Sequence, residues 1–431
     1  MLLLKKLNLI NINSSLIILL PFTLISGPFL PDLSIIFIGI SFLYLSIKEK
    51  KFKYYKNYFF YFFIIFYIYI NVVNLFINQN FDSLKISISY IRFMLFSLGI
   101  WFFLEKNNKI LNNLLISFVT AFSILIIDGY IQYFFGKNII GYALASGPRV
   151  SSFFGDELIL GSYLSRLFPI FFGIAILFFK TKKKLILISI IFVLSETLVF
   201  LSGERASLFY LNLSAFFIII LIKNHKLLRF ITLIFSLLII VILINLNQNT
   251  KSRIVDLTVE QTGVCKYFDS CSNQTENNTK DHKDKRLYIF TPIHQSIYQS
   301  AYYIYLDNKL FGIGIKNFRK LCNDDKYKVS KFSCSTHPHN SYLQFLTELG
   351  IFGFIFLIFI FFSFIYFCSL HLIKSFKKKQ YFNDFEICLL AAMLITLWPF
   401  IPTGNFFNNW LSTIYYFPIG IFLWSYSNRI K

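Results

Sequence analysis

Long uninterrupted runs of apolar residues constrain the fold of this chain more than any other feature of its sequence. Of the 431 residues, 56% are hydrophobic and only 15% are charged, and the apolar residues follow one another instead of alternating with polar ones. A run of about 20 apolar residues matches the roughly 30 Å hydrocarbon core of a bilayer. Such runs predict an all-α, polytopic membrane protein, because only helices and closed barrels satisfy the backbone inside lipid.

We predict about twelve transmembrane helices and one long polar connector. The first run, Leu7–Ser26, has no small-residue cleavage site, so we expect it to remain as a span. Residues 1–246 then carry helices 1–9, residues 247–340 form the connector, and residues 341–431 carry helices 10–12. The predicted spans are 8–26, 29–47, 57–77, 86–104, 110–135, 158–179, 185–201, 206–222, 227–246, 341–372, 386–402 and 408–425.

Basic residues are distributed unevenly between the connectors. Most lysines lie in one alternate set of connectors and near both termini, whereas the short connectors of the other set hold only Lys85, Lys137, Arg149 and Arg205. Cytoplasmic connectors are the ones enriched in Lys and Arg, so both termini are predicted to be cytoplasmic and the long connector to lie outside. Many of the basic residues behind the net charge of +21 lie in these connectors. Their placement between the apolar runs favours membrane lipid over nucleic acid as a partner.

The long connector divides into two parts. Residues 265–285 are rich in Asn, Thr, Lys and Asp and are predicted to be irregular. Residues 286–306 are amphipathic and aromatic, which predicts a helix lying on the membrane surface that ends before Leu310–Gly314. Connections of this length are usually functional.

Four of the six cysteines fall in this connector: Cys265, Cys271, Cys322 and Cys334. An even number of cysteines outside the cytoplasm favours disulfides. Three pairings are possible, and short sequence separation favours bridges 265–271 and 322–334. A zinc site is the alternative, but the chain has no CxxC pair there and its histidines are scattered. We therefore predict disulfides instead of a metal site at these cysteines; that no cofactor is needed is implied by the family resemblance described below.

The segment Ser335–Gly353 is the most informative part of the sequence. Pro338 is a helix start signal, and Asn340 or Ser341 can cap the long helix that follows. His339 then lies at the N-terminus of this helix, where the helix dipole favours the neutral imidazole that a general base needs. The same N-terminus favours a bound phosphate. The alternative is that His337 and His339 are interfacial polar residues.

The spacing along this helix predicts which residues share a face with His339. At 100° per residue, Gly350 falls about 20° and Gly353 about 40° from His339. The two glycines are therefore expected to let a neighbouring helix or a lipid chain pack closely below the histidine. Glu348 is expected on the opposite face.

Three arginines of the predicted outer side are candidates for binding a pyrophosphate: Arg149, Arg205 and Arg286. Positive charge is disfavoured in short outer connectors, and guanidinium groups bind phosphate oxygens in pairs. The alternative is that they snorkel or pair with nearby carboxylates. Secondary candidates are His337, Asn340, Arg92 and Arg166; we interpret His225, His282, His294 and His371 as ordinary polar residues.

Together these segments resemble the O-antigen ligase and Wzy-type polymerase superfamily. The resemblance rests on His339-Asn340 followed by Gly350 and Gly353, on Asn308–Phe318 with Arg286 before it, on Ser202–Arg205 and on Arg149–Gly161. Two departures are Asn308-Lys309, where family members often have Pro, and Gly-Glu before Arg205 in place of Ser. The twelve-span plan with one large late outer loop, similar to that of GT-C glycosyltransferases, also fits.

The resemblance implies metal-independent glycosyl transfer at the periplasmic face of a bacterial inner membrane, in lipopolysaccharide biosynthesis. The donor would be a glycan on undecaprenyl pyrophosphate, and the acceptor a sugar hydroxyl of lipid A–core or of another glycan. In that scheme Arg205 and Arg286 hold the pyrophosphate and His339 activates the acceptor hydroxyl. Ligase, Wzy-type polymerase and protein O-glycosylation stay open, and a lipid-linked-glycan flippase is the alternative from another class.

Overall fold

The structure, a computed structural model, describes residues 2–77, 81–146, 149–179, 181–246, 251–261 and 290–430. Arg286, Cys265, Cys271 and His282 lie outside the described residues, and so does the irregular segment predicted at 265–285. Within the described residues the regular secondary structure is helical, accompanied by two isolated β-bridges, Lys137 with Ala143 and Ala145 with Arg149.

The α-helices, numbered in chain order, are α1 (Leu2–Thr23), α2 (Phe29–Lys48), α3 (Tyr58–Val72), α4 (Phe81–Ser89), α5 (Ile91–Lys106), α6 (Ile110–Phe135), α7 (Leu160–Phe178), α8 (Lys182–Leu201), α9 (Arg205–Leu221), α10 (Lys226–Leu246), α11 (Leu257–Gln261), α12 (Pro292–Asp307), α13 (Phe318–Leu321), α14 (Ser341–Phe376), α15 (Asp384–Thr396) and α16 (Asn409–Ile430). Short 3-10 helices cover Phe52–Tyr55 and Ser152–Phe154, and π-helical turns cover Val73–Ile77 and Ser252–Asp256.

Eight helical stretches of the described part are long and apolar enough to cross a membrane: Phe29–Lys48, Tyr58–Phe76, Phe81–Lys106, Ile110–Phe135, Leu160–Phe178, Lys183–Leu201, Lys226–Leu246 and Ser341–Phe376. Two shorter apolar helices are Asn8–Thr23 and Arg205–Leu221. The fold is therefore that of an all-α polytopic membrane protein. Twelve spans stay a prediction, as do the domain boundaries at 246 and 340.

Two predicted spans differ from the helices observed. The span predicted at 86–104 is divided at Tyr90 into α4 and α5. The span predicted at 386–402 ends at Thr396, and residues 397–408 form a connector that turns back against the start of α14. Pro399, Pro402 and Gly404 in this connector were the sequence signals for the helix end, but the apolar residues between them favoured a longer span.

Several helices begin where a short polar side chain can cap them. The Asn57 side chain accepts from the Phe60 N–H, and Asn383 and Glu386 form a capping box. Thr291 caps α12, with Pro292 in its first turn. The predicted surface helix thus begins at Pro292 in the described residues and ends at Asp307, before the glycine-containing segment.

The helices pack as a bundle in which α5 lies between α2 and α16, and α7 contacts α8, α9 and α15. Close approach is local: a Cβ at Gly99 would lie 2.8 Å from the Ile38 side chain. Helix α12, from the long connector, packs against α14. This contact carries part of the connector to the beginning of the helix that follows His339.

The connectors sort to two ends of the bundle as the charge bias predicts. We call the end that carries His339 the outer end and the end that carries Glu386 the inner end. At the inner end Lys106 pairs with Glu49 at 2.7 Å and Arg429 with Glu386 at 3.0 Å, and Lys53 also pairs with Glu105. At the outer end the Thr403 N–H donates to the His339 carbonyl at 2.9 Å. Which end faces the cytoplasm stays a prediction from the lysine bias.

Candidate active site

His339 occupies the residue just before the N-cap of α14. Its backbone has φ of 55°, a left-handed conformation that is uncommon for a residue other than glycine. Asn340 then caps the helix, because its side-chain oxygen accepts from the N–H groups of Tyr342 (3.0 Å) and Leu343 (3.1 Å). The Asn340 amide also donates to the Pro399 carbonyl at 2.7 Å. The imidazole is therefore held at the mouth of the helix.

Three histidines lie together at this point. The ring centroids of His337 and His339 are 4.1 Å apart, and those of His294 and His339 are 5.6 Å apart. A hydrogen bond of 2.9 Å joins the Ser335 hydroxyl and His339 Nε2, and one of 2.8 Å joins the Thr291 hydroxyl and His294 Nδ1. Sequence reasoning did not place His294 with these residues, and the structure brings its ring close to His339. The sequence did contain a signal for this residue: His294 lies in the first turn of an amphipathic helix that Thr291 caps.

All three imidazoles are biased toward the neutral form. Burial lowers the pKa of His339. Burial, followed by the positive charge that His339 and Arg205 would add, lowers the pKa of His294 to about 4. Burial and His339 lower the pKa of His337 to about 3. The sequence argument expected a neutral imidazole from the helix dipole; in the structure its removal from water acts in the same direction.

Arg205, like Arg319, is close enough for its charge to act on the histidines. Its guanidinium Nη1 donates to Thr258 Oγ1 at 2.8 Å and to Gln261 Oε1 at 3.1 Å. Both partners belong to the long connector, which therefore reaches over the start of α9. The proximity of Arg205 to His294 is seen in its effect on the pKa of that histidine. The Arg205 guanidinium and the His294 imidazole thus lie in the same region of the outer end.

Arg149 contacts the segment that immediately precedes Arg205. Its side chain is 7% exposed, and its Nε donates to the Ser202 carbonyl at 2.7 Å. Gly203 follows with φ of 67°, and the buried Glu204 carboxylate accepts from the Gly161 N–H at 2.7 Å. These contacts fix the turn that leads into α9. The structure thus gives Arg149 a positioning role, and its direct contact with a pyrophosphate stays a prediction.

Arg92 contacts residues other than the histidines. It forms an ion pair with Asp32 at 3.2 Å and donates to the side chain of Asn409 at 2.7 Å. These partners join α2, α5 and α16 at the outer end. The contacts fit the alternative that this arginine is paired within the protein.

The long helix α14 is not continuous through the predicted glycine face. Gly350 has φ of 67° and ψ of −167°, so the helix is kinked there and the face calculated for an unbroken helix was wrong. The segment Lys309–Ile315 fills the kink: the Gly314 N–H donates to the Glu348 carbonyl at 2.8 Å, and the Ile351 N–H donates to the Lys309 carbonyl at 2.8 Å. A Cβ at Gly350 would lie 2.2 Å from the Leu310 carbonyl oxygen.

The docking of Lys309–Ile315 explains why glycine occurs at both position 312 and position 350. A Cβ at Gly312 would lie 2.4 Å from the Glu348 backbone, so Gly312 as well as Gly350 has to lack a side chain. Glu348 itself is buried and accepts from the Gln344 amide at 3.0 Å. The kink therefore anchors the end of the long connector below the histidines.

A disulfide joins Cys322 and Cys334, whose Cα atoms are 4.9 Å apart, and this is the pairing that short sequence separation favoured. It closes a loop of the connector just before Ser335, so the histidine segment leaves from a covalently fixed point. Cys368 and Cys388 are free and buried. In the described residues no three His, Cys, Asp or Glu side chains are arranged to hold a metal ion. Metal independence stays a prediction.

Residues 190–358 match the family model Wzy_C, described as O-antigen ligase. This match supports the O-antigen ligase and Wzy-type polymerase superfamily for the chain. The matched O-antigen ligase domain contains Arg205, the three clustered histidines and both partners of the kink at Gly350. Arg149, Arg166 and the connector 397–408 lie outside it. No curated protein matches the chain.

The connector 397–408 completes the histidine site from outside the O-antigen ligase domain. The Thr403 carbonyl contacts His337 Nε2 at 3.2 Å, and the Asn405 side chain accepts from the Gln344 amide at 3.0 Å. The Thr403 hydroxyl in turn accepts from Arg166 Nη2 at 3.2 Å. Sequence reasoning found Arg166 as a secondary candidate but gave no sign of Thr403, because the contact depends on where the connector turns back.

Proposed function

We propose that this protein is an O-antigen ligase-like glycosyltransferase that moves a glycan from undecaprenyl pyrophosphate to a sugar hydroxyl of lipid A–core. The observation that carries the proposal is the meeting of His339, a buried imidazole of lowered pKa, with His294 and the neighbouring Arg205 at the mouth of α14. The O-antigen ligase match over residues 190–358 supports the reaction class.

In the proposed reaction the neutral His339 accepts the proton of the acceptor hydroxyl. The hydroxyl oxygen forms a bond to the anomeric carbon of the donor, and the bond from that carbon to the pyrophosphate oxygen breaks. Undecaprenyl pyrophosphate leaves with the bonding electron pair, and the proton passes from His339 to water. General-base catalysis of this kind contributes typically 10²–10⁴-fold to a rate.

Arginine is suited to the leaving group because its planar fork binds phosphate oxygens in pairs and keeps its charge. We assign the donor pyrophosphate to Arg205 and Arg286, with Arg149 fixing the turn before Arg205. Asn340 and His337 hold the His339 segment in place. No metal or other cofactor is needed in this scheme, because the guanidinium groups offset the developing negative charge.

We place the reaction on the periplasmic side of a bacterial inner membrane, with both termini in the cytoplasm. The lysine-rich connectors support this orientation. The contacts between alternate connectors at the two ends of the bundle support the alternation of spans. A flippase is less compatible, because its charged groups are expected along a path through the bilayer, whereas this cluster lies at one end.

The variant His339→Ala tests the proposal in a host whose own ligase has been deleted. We expect loss of glycan attached to lipid A–core, by roughly 10²-fold or more, at unchanged protein level in the membrane. His225→Ala is the matched control, since His225 is exposed at the inner end. Attachment by His339→Ala at the level of the control would contradict the catalytic assignment.

The second reading, a Wzy-type polymerase, shares the proposed donor site and differs in its acceptor. Deletion of the gene separates the two. Loss of a ligase leaves long lipid-linked chains and a bare core. Loss of a polymerase leaves cores capped with single repeat units.

A further inference from the structure

Arg166 lies one contact away from the histidines and is almost completely buried. Its side chain is 3% exposed. Its Nε donates to Ser162 Oγ and its Nη2 to Thr403 Oγ1, both at 3.2 Å. Its Nη1 is buried and has no hydrogen-bond partner among the described residues. Arg166 therefore presents unused N–H donors inside the protein.

Two tyrosines enclose the guanidinium. The Arg166 guanidinium carbon lies 4.5 Å from the ring centroid of Tyr210 and 5.9 Å from that of Tyr415. The Tyr210 hydroxyl is within hydrogen-bonding reach of Arg166 and Thr403. The buried Tyr415 hydroxyl has no hydrogen-bond partner within the described part of the chain. We call Arg166, Tyr210, Thr403 and Tyr415 the donor pocket.

The charge of the donor pocket is not balanced by a carboxylate. Among the described residues Arg166 forms no ion pair, and its hydrogen-bond partners are the neutral side chains of Ser162 and Thr403. A buried, unpaired cation is costly, and contact with aromatic rings offsets only part of that cost. An anionic ligand that accepts from Arg166 Nη1 and from the Tyr415 hydroxyl would satisfy both the charge and these two donors.

The donor pocket lies deeper than Arg205, on the same side of the histidines. The N-terminal turns of α7 and α9 are level, because the Gly161 N–H donates to the Glu204 carboxylate at 2.7 Å. Arg166 follows Gly161 by five residues, which places it about 7.5 Å further along α7 at 1.5 Å per residue. A lipid-linked pyrophosphate has its lipid-bearing phosphate nearer the membrane interior than its sugar-bearing phosphate.

We propose that the donor pocket binds the lipid-bearing phosphate of the donor, while Arg205 binds the sugar-bearing phosphate. This assignment rests on the proposed function and adds a phosphate-binding site outside the O-antigen ligase domain. Thr403 belongs to the donor pocket and its carbonyl contacts His337, so a phosphate in the donor pocket is placed next to the histidine cluster.

Equilibrium binding of short lipid phosphates to the purified full-length protein in detergent tests the assignment. The probes are farnesyl pyrophosphate, which has both phosphates, and farnesyl monophosphate, which has only the lipid-bearing one. The variants are Arg166→Gln, Arg205→Gln and the milder Tyr210→Phe and Tyr415→Phe. Arg229→Gln is the matched control, because Arg229 is a half-buried arginine in α10 whose guanidinium donates to backbone carbonyls.

We expect Arg166→Gln to weaken binding of both probes by a similar factor, roughly 10- to 100-fold, as for loss of a charged hydrogen bond. Arg205→Gln should weaken the pyrophosphate more than the monophosphate. The tyrosine variants keep their ring packing and should each weaken both probes about 2- to 10-fold. Tyr415→Phe decides the question if Arg166→Gln does not fold, since removal of a hydroxyl without a partner leaves a purely structural pocket unchanged.

Two outcomes overturn the inference in different ways. If farnesyl pyrophosphate binds to the wild-type protein and its binding falls in Arg205→Gln but not in Arg166→Gln or Tyr415→Phe, the donor pocket is refuted. The proposed function then still stands. Wild-type protein that binds neither probe removes both. Phosphatidylglycerol is the third probe: an equal loss of its binding in Arg166→Gln would reassign the pocket to bilayer phospholipid.

Discussion

The two ends of the helix bundle are joined by different kinds of contact. At the inner end the connectors meet through charged side chains, as in the pairs Lys106–Glu49 and Arg429–Glu386. Around the histidines at the outer end the connectors meet largely through backbone groups, as where the Gly314 N–H donates to the Glu348 carbonyl. The Arg92–Asp32 pair is an outer-end ion pair, but Arg92 contacts residues other than the histidines.

Under the proposed function, backbone hydrogen bonds position the connectors around the histidines, and guanidinium groups bind the donor phosphates. Arg166 illustrates the result: it is buried among neutral partners, whereas Arg429 is paired with Glu386. Three predictions challenge this comparison.

The largest effect is expected from Gly350→Ala, which attacks the backbone docking at the outer end. The φ and ψ of Gly350 are accessible essentially only to glycine, and a Cβ would lie 2.2 Å from the Leu310 carbonyl oxygen. We expect little folded protein, measured as monodisperse yield in detergent and as melting temperature. Gly27→Ala is the control, because Gly27 has φ of 102° but nothing within 4 Å of its Cβ position. Equal yields for the two variants would show that the docking is dispensable.

An intermediate effect is expected from exchanging arginine for lysine at each end. Arg205→Lys keeps the charge but loses the bidentate fork, so we expect glycan transfer to fall roughly 10-fold or more. Arg429→Lys should leave transfer within about 2-fold, since a lysine can still pair with Glu386 and this pair lies at the inner end, away from the proposed donor site. Transfer would be measured against protein level in the same membranes. If both variants behave alike, the two ends do not differ in the way proposed.

The smallest effect is expected from mild acid, which acts on the outer end first. His294 and His337 have pKa values of about 4 and about 3, below the ordinary value of 6.5. Between these values and 6.5 the unfolded chain binds protons that the folded protein does not, so stability is full above about 6.5 and falls as the pH decreases toward 4. We expect a lower melting temperature at pH 5 than at pH 7.5, and a smaller decrease in His294→Asn. An unchanged pH response in that variant would refute the contribution of His294.

The lowered pKa of His339 has a consequence for activity in the same range. A general base acts in its deprotonated form, so its acid limb should lie below the ordinary imidazole value. Transfer is therefore expected to persist below pH 6.5 until His339 itself is protonated. A rate that halves at pH 6.5 would contradict burial of this imidazole in the working enzyme.

Sequence alone determined the class of the protein and the local structure of its key helix. The apolar runs led to membrane helices because lipid leaves the backbone few alternatives. Asn340 capped α14, and Cys322 paired with Cys334, because both contacts are short in sequence. These features follow from local chemistry, in which each residue interacts with close neighbours along the chain.

Tertiary structure decided which distant residues meet. His294 joins His339 only because α12 packs against α14, and Thr403 reaches His337 only because the connector after α15 turns back. Gly350 was expected on a smooth helical face, yet the docking of Lys309–Ile315 makes a kink there. Helical periodicity assumes an unbroken helix, and it contains no information about a loop that replaces the hydrogen bonds of that helix. The individual parts of the site are therefore set by local sequence, whereas the tertiary structure decides how these parts come together.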